Sequence, residues 1–232
     1  MSNALSVEEY LDGDEDYEEA VIIHGPRQAE MPHYTYADYE SWNDNIRREI
    51  IDGVAYEMAA PNGRHQRLLG DLFVLFHNYL EGKECTVWVA PYDVRLFAPY
   101  PKDEDEQIKD KKTDDTVVQP DLIVSCDRKK HFKEGAHGAP DFVLEILSPS
   151  SKMNDNKRKK DKYLEAGVRE YWILDPDRKE LTVFKYGLEN DIPVYHPQIF
   201  KGDAVVPVGI LDNLSIDLST LFIYDEAGRR IE

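Results

Sequence analysis

The sequence contains few cysteines, no long hydrophobic run and a deficit of basic residues. Its 232 residues include only two cysteines, Cys85 and Cys126, which are too few for a disulfide framework or a cysteine-based metal site. No apolar run approaches the roughly 18 residues of a membrane helix, and the amino terminus lacks the basic and apolar regions of a signal peptide. We therefore expect a soluble, cytoplasmic protein that is held together by its hydrophobic core.

The deficit of basic residues excludes one class of nucleic-acid-binding protein. The chain has 46 acidic and 28 basic side chains, and its formal net charge is -18 with neutral histidines. A surface of this sign repels polyanions at long range, so the protein cannot coat a nucleic acid with its whole surface. A local basic cleft remains compatible with this charge. Aliphatic and aromatic residues are frequent enough to build a core, which excludes global disorder.

The distribution of charge along the chain indicates one domain with an appended arm. The first 30 residues contain nine acidic side chains and a single basic one, Arg27. We predict that residues 1–34 form a peripheral acidic arm and that residues 35–232 form one domain. Residues 98–116 are polar and lack a periodic pattern, which predicts a surface loop.

The hydrophobic periodicity predicts three main helices. Thr35 is a suitable N-cap for a short first helix. Apolar residues that follow the Pro-Asn-Gly turn at 61–63 recur at helical spacing as far as Gly82, which predicts a long amphipathic helix. A third helix is predicted over residues 154–167, because a glycine at its end can serve as the C-terminal cap.

The remaining patterned segments are typical of short strands. Asp52-Gly53 lies between two strand-like runs and predicts a β-hairpin. Further strands are predicted at residues 86–90, 92–97, 117–126, 141–147, 170–174 and 180–186. The sequence therefore predicts an α+β fold, in which a mixed, mostly antiparallel sheet is flanked by a few helices.

Glu145 is the most unusual residue of the predicted strands, because aliphatic residues flank it on both sides. An ionised carboxylate that is buried without a partner destabilises a protein by several kcal/mol or more. A cation, an arginine or solvent must therefore satisfy Glu145. An edge strand that directs Glu145 into water is an alternative that this residue alone leaves open.

Asp121 is a second carboxylate at an apolar strand, directly after Pro120. Taken alone, Asp121 could simply end a turn. If the two strands pair, however, Asp121 and Glu145 can converge on one hard divalent cation, which prefers oxygen ligands.

A basic run follows the strand of Glu145. Six basic residues lie between Lys152 and Lys162 against two aspartates, which gives a local net charge of +4. An ordinary solvated helix face is one interpretation. The other is a positive surface for an anionic substrate, from which a lysine could orient or deprotonate an attacking water.

Two further polar residues are weaker candidates for a site. His65 lies in the first turn of the long predicted helix between Arg64 and Arg67, which favours contact with an anion, although a surface or capping role is the alternative. Glu57 lies in a predicted strand between Tyr56 and Met58 and is a candidate for an additional ligand.

Several motifs follow one another in a specific order along the chain. They are IIDG at 50–53, Met58, Pro61, His65, APYDVR at 90–95, VQPDLIV at 118–124, APDFVLEILSPSS at 139–151, Asp155 with Lys159 and Tyr163, and GVREYWILDP at 167–176. In this order and spacing they resemble the Uma family of restriction endonucleases, within the PD-(D/E)XK nuclease superfamily. The resemblance covers roughly residues 35–225.

The resemblance implies a restriction-endonuclease-like fold and assigns roles to individual residues. Asp121 corresponds to the aspartate of the Pro-Asp motif, and Glu145 to the acidic residue of the second strand. The superfamily lysine is expected two positions after Glu145, where this chain has a leucine. In this family the lysine lies on the following helix, where Lys159 is the best match and Lys157 and Lys160 remain alternatives.

The implied activity is Mg²⁺- or Mn²⁺-dependent hydrolysis of phosphodiester bonds in DNA. Asp121 and Glu145, with the carbonyl of Ile146, would hold the metal, and Lys159 would position the attacking water or stabilise charge on the phosphate. The auxiliary candidates are Glu57, His65, Asp155, Lys157 and Tyr163.

Two other functions are compatible with parts of the sequence. A catalytically inactive nucleic-acid-binding or regulatory module with the nuclease fold would suit the net charge, although the intact Asp121, Glu145 and Lys159 count against it. A serine hydrolase that uses His65 is disfavoured, because no nucleophile elbow is present. We expect DNA to bind through a local basic patch and expect no membrane partner, and a homodimer would suit double-strand cleavage.

Overall fold

The computed structural model describes residues 32–100, 110–148 and 158–231. Most of the predicted acidic arm and the middle of the predicted loop at 98–116 lie outside the described residues. The described α-helices are α1 (Tyr36–Ser41), α2 (Gly63–Leu80) and α3 (Lys160–Ala166), and short 3-10 helices occur at Arg128–Lys130 and Leu218–Thr220. None of the helices in these ranges is both long and apolar enough to cross a membrane.

Fourteen short strands are described, and they form two six-stranded sheets and one separate hairpin. The strands are β1 (Arg48–Ile51), β2 (Val54–Glu57), β3 (Thr86–Val89), β4 (Val94–Arg95), β5 (Val117–Val118), β6 (Leu122–Ser125), β7 (His131–Phe132), β8 (Gly135–His137), β9 (Phe142–Ile146), β10 (Glu170–Asp175), β11 (Glu180–Glu189), β12 (Ile192–Lys201), β13 (Val205–Pro207) and β14 (Ser215–Asp217). The first sheet has the order β2-β1-β5-β4-β8-β7, and the second has the order β12-β11-β10-β9-β6-β3. Only the pairs β4–β8 and β9–β10 are parallel, which confirms the predicted mixed, mostly antiparallel α+β fold.

The predicted Asp52-Gly53 hairpin is present between β1 and β2. Asp52 and Gly53 both have positive φ angles, of 50° and 75°. A two-residue hairpin loop in which both residues have positive φ matches the twist of the flanking strands, and Asp-Gly adopts it readily. The hairpin forms one edge of the first sheet, and β1 continues the sheet by pairing with β5 through Ile50 and Val117.

The second sheet separates two hydrophobic clusters, because residues alternate between its faces. On β9, Phe142, Leu144 and Ile146 belong to the cluster that contains α2, whereas Val143 belongs to the cluster on the side of the first sheet and α3. Glu145 therefore projects into the space between the two sheets.

The predicted long helix is confirmed as α2, which begins after the predicted turn. Asn62 caps it by accepting a hydrogen bond from the backbone N–H of His65, at 2.9 Å. Its apolar stripe packs against the face of the second sheet that bears Phe142. The cap places His65 in the first turn, at the end of α2 that faces the start of β6.

The structure differs from the predicted elements in three places. The single strand predicted over 117–126 is two strands, β5 and β6, with a break at residues 119–121. The strand predicted at 92–97 is only two residues long. Within the predicted surface loop, Asp114 is buried because its carboxylate accepts a hydrogen bond from the equally buried Arg95, at 2.6 Å.

The two cysteines are joined by a disulfide. Cys85 directly precedes Thr86 and Cys126 directly follows Ser125, and these two strand residues are register partners, so the bond links β3 and β6 at one end.

Candidate active site

The break between β5 and β6 turns the chain toward β1 and β9. The backbone N–H of Gln119 donates to Glu49 Oε1 at 2.7 Å instead of to a neighbouring strand. Pro120 has no N–H to donate, and the N–H of Asp121 lies 3.3 Å from Glu145 Oε2. Glu49 of the first sheet and Glu145 of the second sheet therefore accept the backbone N–H groups that are not paired with a neighbouring strand at this break.

The Asp121 carboxylate lies at the end of β9 and beside the start of α2. Its Oδ2 accepts a hydrogen bond from the backbone N–H of Ile146 at 2.7 Å and lies 3.0 Å from His65 Nε2. The Asp121 carboxylate thus accepts a hydrogen bond from the backbone N–H of the residue after Glu145, and the Glu145 carboxylate accepts one from the backbone N–H of Asp121. The predicted convergence of the two side chains occurs.

Glu145 is buried, with 3% of its surface exposed. Its Oε1 accepts hydrogen bonds from Lys159 Nζ at 2.9 Å and from the hydroxyl of Tyr163 at 2.8 Å. Lys159 Nζ also lies 2.8 Å from Glu49 Oε1, so one buried ammonium bridges the two glutamates. A cation and a hydroxyl therefore compensate for the burial of the Glu145 carboxylate.

The start of α3 delivers the lysine and the tyrosine together. Lys159 is the N-cap of α3, and Tyr163 lies one turn later on the same side of the helix. Burial raises the pKa of the Tyr163 hydroxyl well above its usual value, and the neighbouring Glu145 raises it further. Tyr163 therefore remains a protonated donor to Glu145 at neutral pH.

The cluster carries a negative formal charge. Glu49, Asp121 and Glu145 bring three negative charges, Lys159 brings one positive charge, and with His65 neutral the sum is -2. Excess negative charge is unfavourable where solvent is scarce. A divalent cation has the charge that would neutralise this cluster.

On the side of the first sheet, further hydrogen bonds hold the chain in place where it passes from β5 to β6. Gln119 donates to Asp93 Oδ1 at 2.7 Å and to the hydroxyl of Tyr39 at 2.9 Å, and it accepts from Arg47 at 2.7 Å. Burial raises the pKa of Asp93, although its bonds to Gln119 and Tyr39 partly offset this effect. These contacts hold Gln119, and with it the backbone that leads into Asp121.

Some predicted site residues lie away from the cluster or outside the described residues. Glu57 is exposed and lies 3.4 Å from Arg48, and Lys160 is half-buried beside the ring of Phe184. Asp155 and Lys157 fall in the range 149–157, outside the described residues. Of the two candidate lysines that the structure describes, Lys159 contacts the carboxylates.

The predicted positive face of the third helix is largely neutralised where it is described. Lys159 bridges Glu49 and Glu145, and Lys162 contacts Asp52 at 2.6 Å and Glu165 at 2.8 Å. These lysines therefore serve the fold and the site more than a substrate surface.

Glu49 is the site residue that the sequence analysis missed. It lies in β1 next to the hairpin, and it is as buried as Glu145. The available signal was its neighbours Ile50 and Ile51, which marked a buried strand that would contain an unpaired carboxylate. Its partner Lys159 is more than a hundred positions away in the sequence, so local patterns do not reveal the pair.

The cluster has the composition of a site for a hard cation with few protein ligands. Within the described ranges, no group of three or more His, Cys, Asp and Glu side chains has the arrangement of a complete metal site. Asp121 and Glu145 would supply two carboxylates, and the Asp121 side chain is 17% exposed, which gives access from solvent. Mg²⁺ characteristically uses one or two carboxylates and completes its shell with water and phosphate oxygens.

Comparisons with known proteins concern the family and the fold. The family model Uma2, described as "Putative restriction endonuclease", matches residues 35–219. An uncharacterised protein of Synechocystis sp. is 26% identical over 174 residues, which cover 74% of this chain and 83% of that protein. A crystal structure described as a "putative nuclease belonging to DUF820" from Anabaena variabilis matches with a TM-score of 0.62 and 20% identity, over 82% of this chain and 97% of that one. At this identity, the structural match concerns the fold.

Proposed function

Because this chain belongs to the Uma2 family of restriction-endonuclease-like proteins, we propose that it is a metal-dependent endonuclease that hydrolyses phosphodiester bonds of DNA with Mg²⁺ or Mn²⁺. The observation that carries the proposal is the meeting of Asp121, Glu145 and Lys159 at one point between the two sheets. The resemblance to the family motifs assigns the same three residues to the site.

The residues present fit a divalent cation. Asp121 and Glu145 supply hard oxygen ligands, and a divalent cation would neutralise the formal charge of -2 on the cluster. When bound, such a cation supplies an activated water and neutralises charge on a phosphate.

The surrounding residues would hold the two carboxylates in position to bind the cation. Lys159 and Tyr163 both donate to one oxygen of Glu145, which directs the other oxygen toward Asp121. The N–H of Ile146 holds one oxygen of Asp121 in place. The Lys159 ammonium also brings positive charge near the reacting phosphate, where negative charge develops in the transition state.

His65 would act mainly as a positioning residue for Asp121. We expect the His65→Ala substitution to lower the cleavage rate about 10- to 100-fold, the usual effect of losing a residue that orients a ligand. His65→Gln, which can still donate to Asp121, should retain most of the activity. Steady-state cleavage of a fluorescently labelled oligonucleotide measures both variants. A greater than about 10³-fold loss in both would indicate a direct role in proton transfer instead.

Calorimetric titration of Mg²⁺ and Mn²⁺ tests the metal site directly. We expect the wild-type protein to bind Mn²⁺ at low ionic strength and neutral pH, and Asp121→Asn to abolish this binding. Glu57→Gln is the matched control, because it removes an exposed carboxylate outside the cluster. Retention of the same binding in Asp121→Asn would contradict the assignment of Asp121 as a ligand.

A second candidate function is a binding or regulatory module without cleavage activity. The observation in its favour is that protein donors already satisfy both carboxylates, through Lys159 and Tyr163 at Glu145 and through Ile146 and His65 at Asp121. The net charge of -18 also favours it. If the wild type and Glu145→Ala bind a nucleic acid equally well and neither of them cleaves it, the protein has this second function.

A further inference from the structure

Three aromatic rings form a compact group at the edge of the second sheet, where Trp88 of β3 meets Tyr92, which follows β3, and His131 of β7. The rings of Trp88 and Tyr92 stack with centroids 4.7 Å apart, and those of Trp88 and His131 stack at 4.8 Å. We refer to these three residues as the aromatic group. Each of them is partly exposed, and Trp88 and Tyr92 also pack against the hydrophobic cluster on the side of the first sheet.

Hydrogen bonds hold the rings of the aromatic group in place. The Trp88 indole N–H donates to Thr86 Oγ1 at 3.0 Å, and the Tyr92 hydroxyl lies 2.8 Å from His131 Nδ1. Burial lowers the pKa of His131, so its imidazole is neutral at pH 7. The group is therefore a rigid, largely uncharged surface of stacked rings.

Trp88 of the aromatic group lies close to Asp121 across the paired strands β3 and β6. Trp88 is paired with Ile123 across β3 and β6, so both side chains project from one face. Asp121 precedes Ile123 by two residues, and its carbonyl accepts the N–H of Ala90. Diagonal neighbours of this kind have Cα atoms about 7–8 Å apart, so the aromatic group adjoins the backbone that carries Asp121.

A basic segment adjoins the aromatic group. Arg128, Lys129, Lys130 and Lys133 surround His131 in the sequence, and three of them are exposed. Within the described ranges none of the four forms an ion pair with a carboxylate, since Arg128 donates to the carbonyls of Lys83 and Glu84 and Lys130 donates to the carbonyl of Ala139. In a chain with a net charge of -18, this segment is a local positive surface.

We propose that the aromatic group and the basic segment together bind an unpaired stretch of nucleic acid, whose bases stack on the aromatic rings while its phosphates contact the lysines. This inference rests on the proposed nuclease function and specifies its substrate as single-stranded or locally unpaired. Aromatic side chains alternating with basic ones are the general means of binding single strands without sequence preference, because every base has a π-face.

The charge of the protein favours an unpaired substrate over an intact duplex. Duplex binding depends on many phosphate contacts and is opposed by the overall negative charge. Stacking of bases on aromatic rings contributes affinity that does not require positive charge. A duplex also keeps its bases stacked inside the helix, where Trp88 cannot reach them unless the helix is locally opened.

Binding and cleavage of one labelled oligonucleotide, presented in two forms, test the proposal. Fluorescence anisotropy compares a single strand of about 12 nucleotides with the duplex made from it and its complement, in Ca²⁺ to limit cleavage. We expect the wild-type protein to bind the single strand more tightly, and Trp88→Leu to weaken that binding about 5- to 150-fold. Trp88→Phe, which retains a ring, should stay within about 3-fold of the wild type, and Trp42→Phe is the control for an aromatic residue elsewhere.

A second variant addresses the basic segment and guards against a folding defect in Trp88→Leu. Lys129→Gln with Lys133→Gln removes two exposed charges and no core contacts, and we expect it to reduce the salt dependence of single-strand binding. Equal affinity for both forms of DNA, or unchanged single-strand binding in Trp88→Leu and in the lysine variant, would overturn the proposal.

The cleavage assay separates this proposal from the nuclease function. With Mn²⁺, cleavage that depends on Glu145 but is equally fast on the duplex and insensitive to Trp88→Leu would overturn the unpaired substrate and leave the nuclease in place. Binding that depends on Trp88 in a protein that cleaves neither form would support the nucleic-acid surface and overturn the nuclease.

Discussion

Asp121→Asn and Glu145→Gln are each expected to reduce DNA cleavage by at least about 10³-fold, equivalent to about 4 kcal/mol of transition-state stabilisation. Both substitutions keep the size of the side chain. The asparagine amide oxygen at position 121 can still accept the hydrogen bond from the N–H of Ile146. By contrast, glutamine at position 145 has one oxygen in place of the two that accept from Lys159 and Tyr163 and from the N–H of Asp121. Both substitutions remove a formal charge and a hard oxygen ligand from the cluster. For Asp121→Asn the loss should therefore arise in metal binding and chemistry, not in folding.

Asp121→Asn should be at least as stable as the wild type when no divalent cation is present. The wild-type cluster holds a formal charge of -2 with His65 neutral, and this substitution halves it. Repulsion between carboxylates in a poorly solvated site disfavours the native state. With Mn²⁺ added, only the wild type should gain stability, because ligand binding stabilises the state that binds it.

Relaxation of a supercoiled plasmid and cleavage of a labelled oligonucleotide measure the activity, and thermal unfolding with and without Mn²⁺ measures the stability. Glu57→Gln serves as the matched control, since it makes the same chemical change at an exposed position. Full activity in Asp121→Asn would contradict the metal site. A large loss of stability in the metal-free variant would instead mean that the carboxylate has a structural role.

The site residues that could be predicted from sequence are the carboxylates that lie among apolar neighbours in a predicted strand. Glu145 is a carboxylate among aliphatic residues on β9, and Asp121 follows Pro120 at the start of an apolar strand. These features are local, so they are visible without any knowledge of the fold. The family motifs then related the two strands to each other and to Lys159.

The parts that could not be predicted depend on contacts between distant segments. Glu49 is satisfied by Lys159 and by the backbone of Gln119, and neither is near it in the sequence. The break between β5 and β6 arises because Glu49 takes the N–H that would otherwise continue the ladder. A periodic pattern across residues 117–126 shows apolar character, but it does not show where the hydrogen bonds of the backbone are directed.

The basic run on the third helix shows why charge alone is a poor guide to a binding surface. Lys159 and Lys162 are engaged by carboxylates from β1, β9 and the β1–β2 hairpin. The basic segment around His131 has fewer charges in sequence, yet its lysines have no carboxylate partner within the described ranges. Whether a cation can bind an external anion depends on what the fold places beside it.

Lys159→Met is expected to destabilise the protein by about 3–5 kcal/mol, the largest effect on stability of any substitution considered for this chain. Methionine fills a similar volume, but it leaves Glu49 and Glu145 buried without the ammonium that bridges them at 2.8 and 2.9 Å. Removing one member of a buried ionic group leaves uncompensated charge, whose burial is far more unfavourable than the loss of the pair itself.

The pH dependence distinguishes this cause from a simple packing defect. Without Lys159, burial and mutual repulsion should raise the native-state pKa values of Glu49 and Glu145 above those of the unfolded chain. The native variant then binds more protons than its unfolded state above about pH 5, so its stability should increase as the pH falls from about 7 to about 5. The stability difference from the wild type should shrink over the same interval, whereas a packing defect would be independent of pH.

Chemical denaturation at two pH values measures the effect, and a triple variant provides the control. Lys159→Met combined with Glu49→Gln and Glu145→Gln removes the buried charges together with their partner, and it should recover most of the lost stability while remaining inactive. If Lys159→Met alone does not fold, the triple variant still does so according to this argument. A triple variant as unstable as Lys159→Met would show that Lys159 stabilises the fold through packing, and the charge of the cluster would then not explain why a lysine occupies this position.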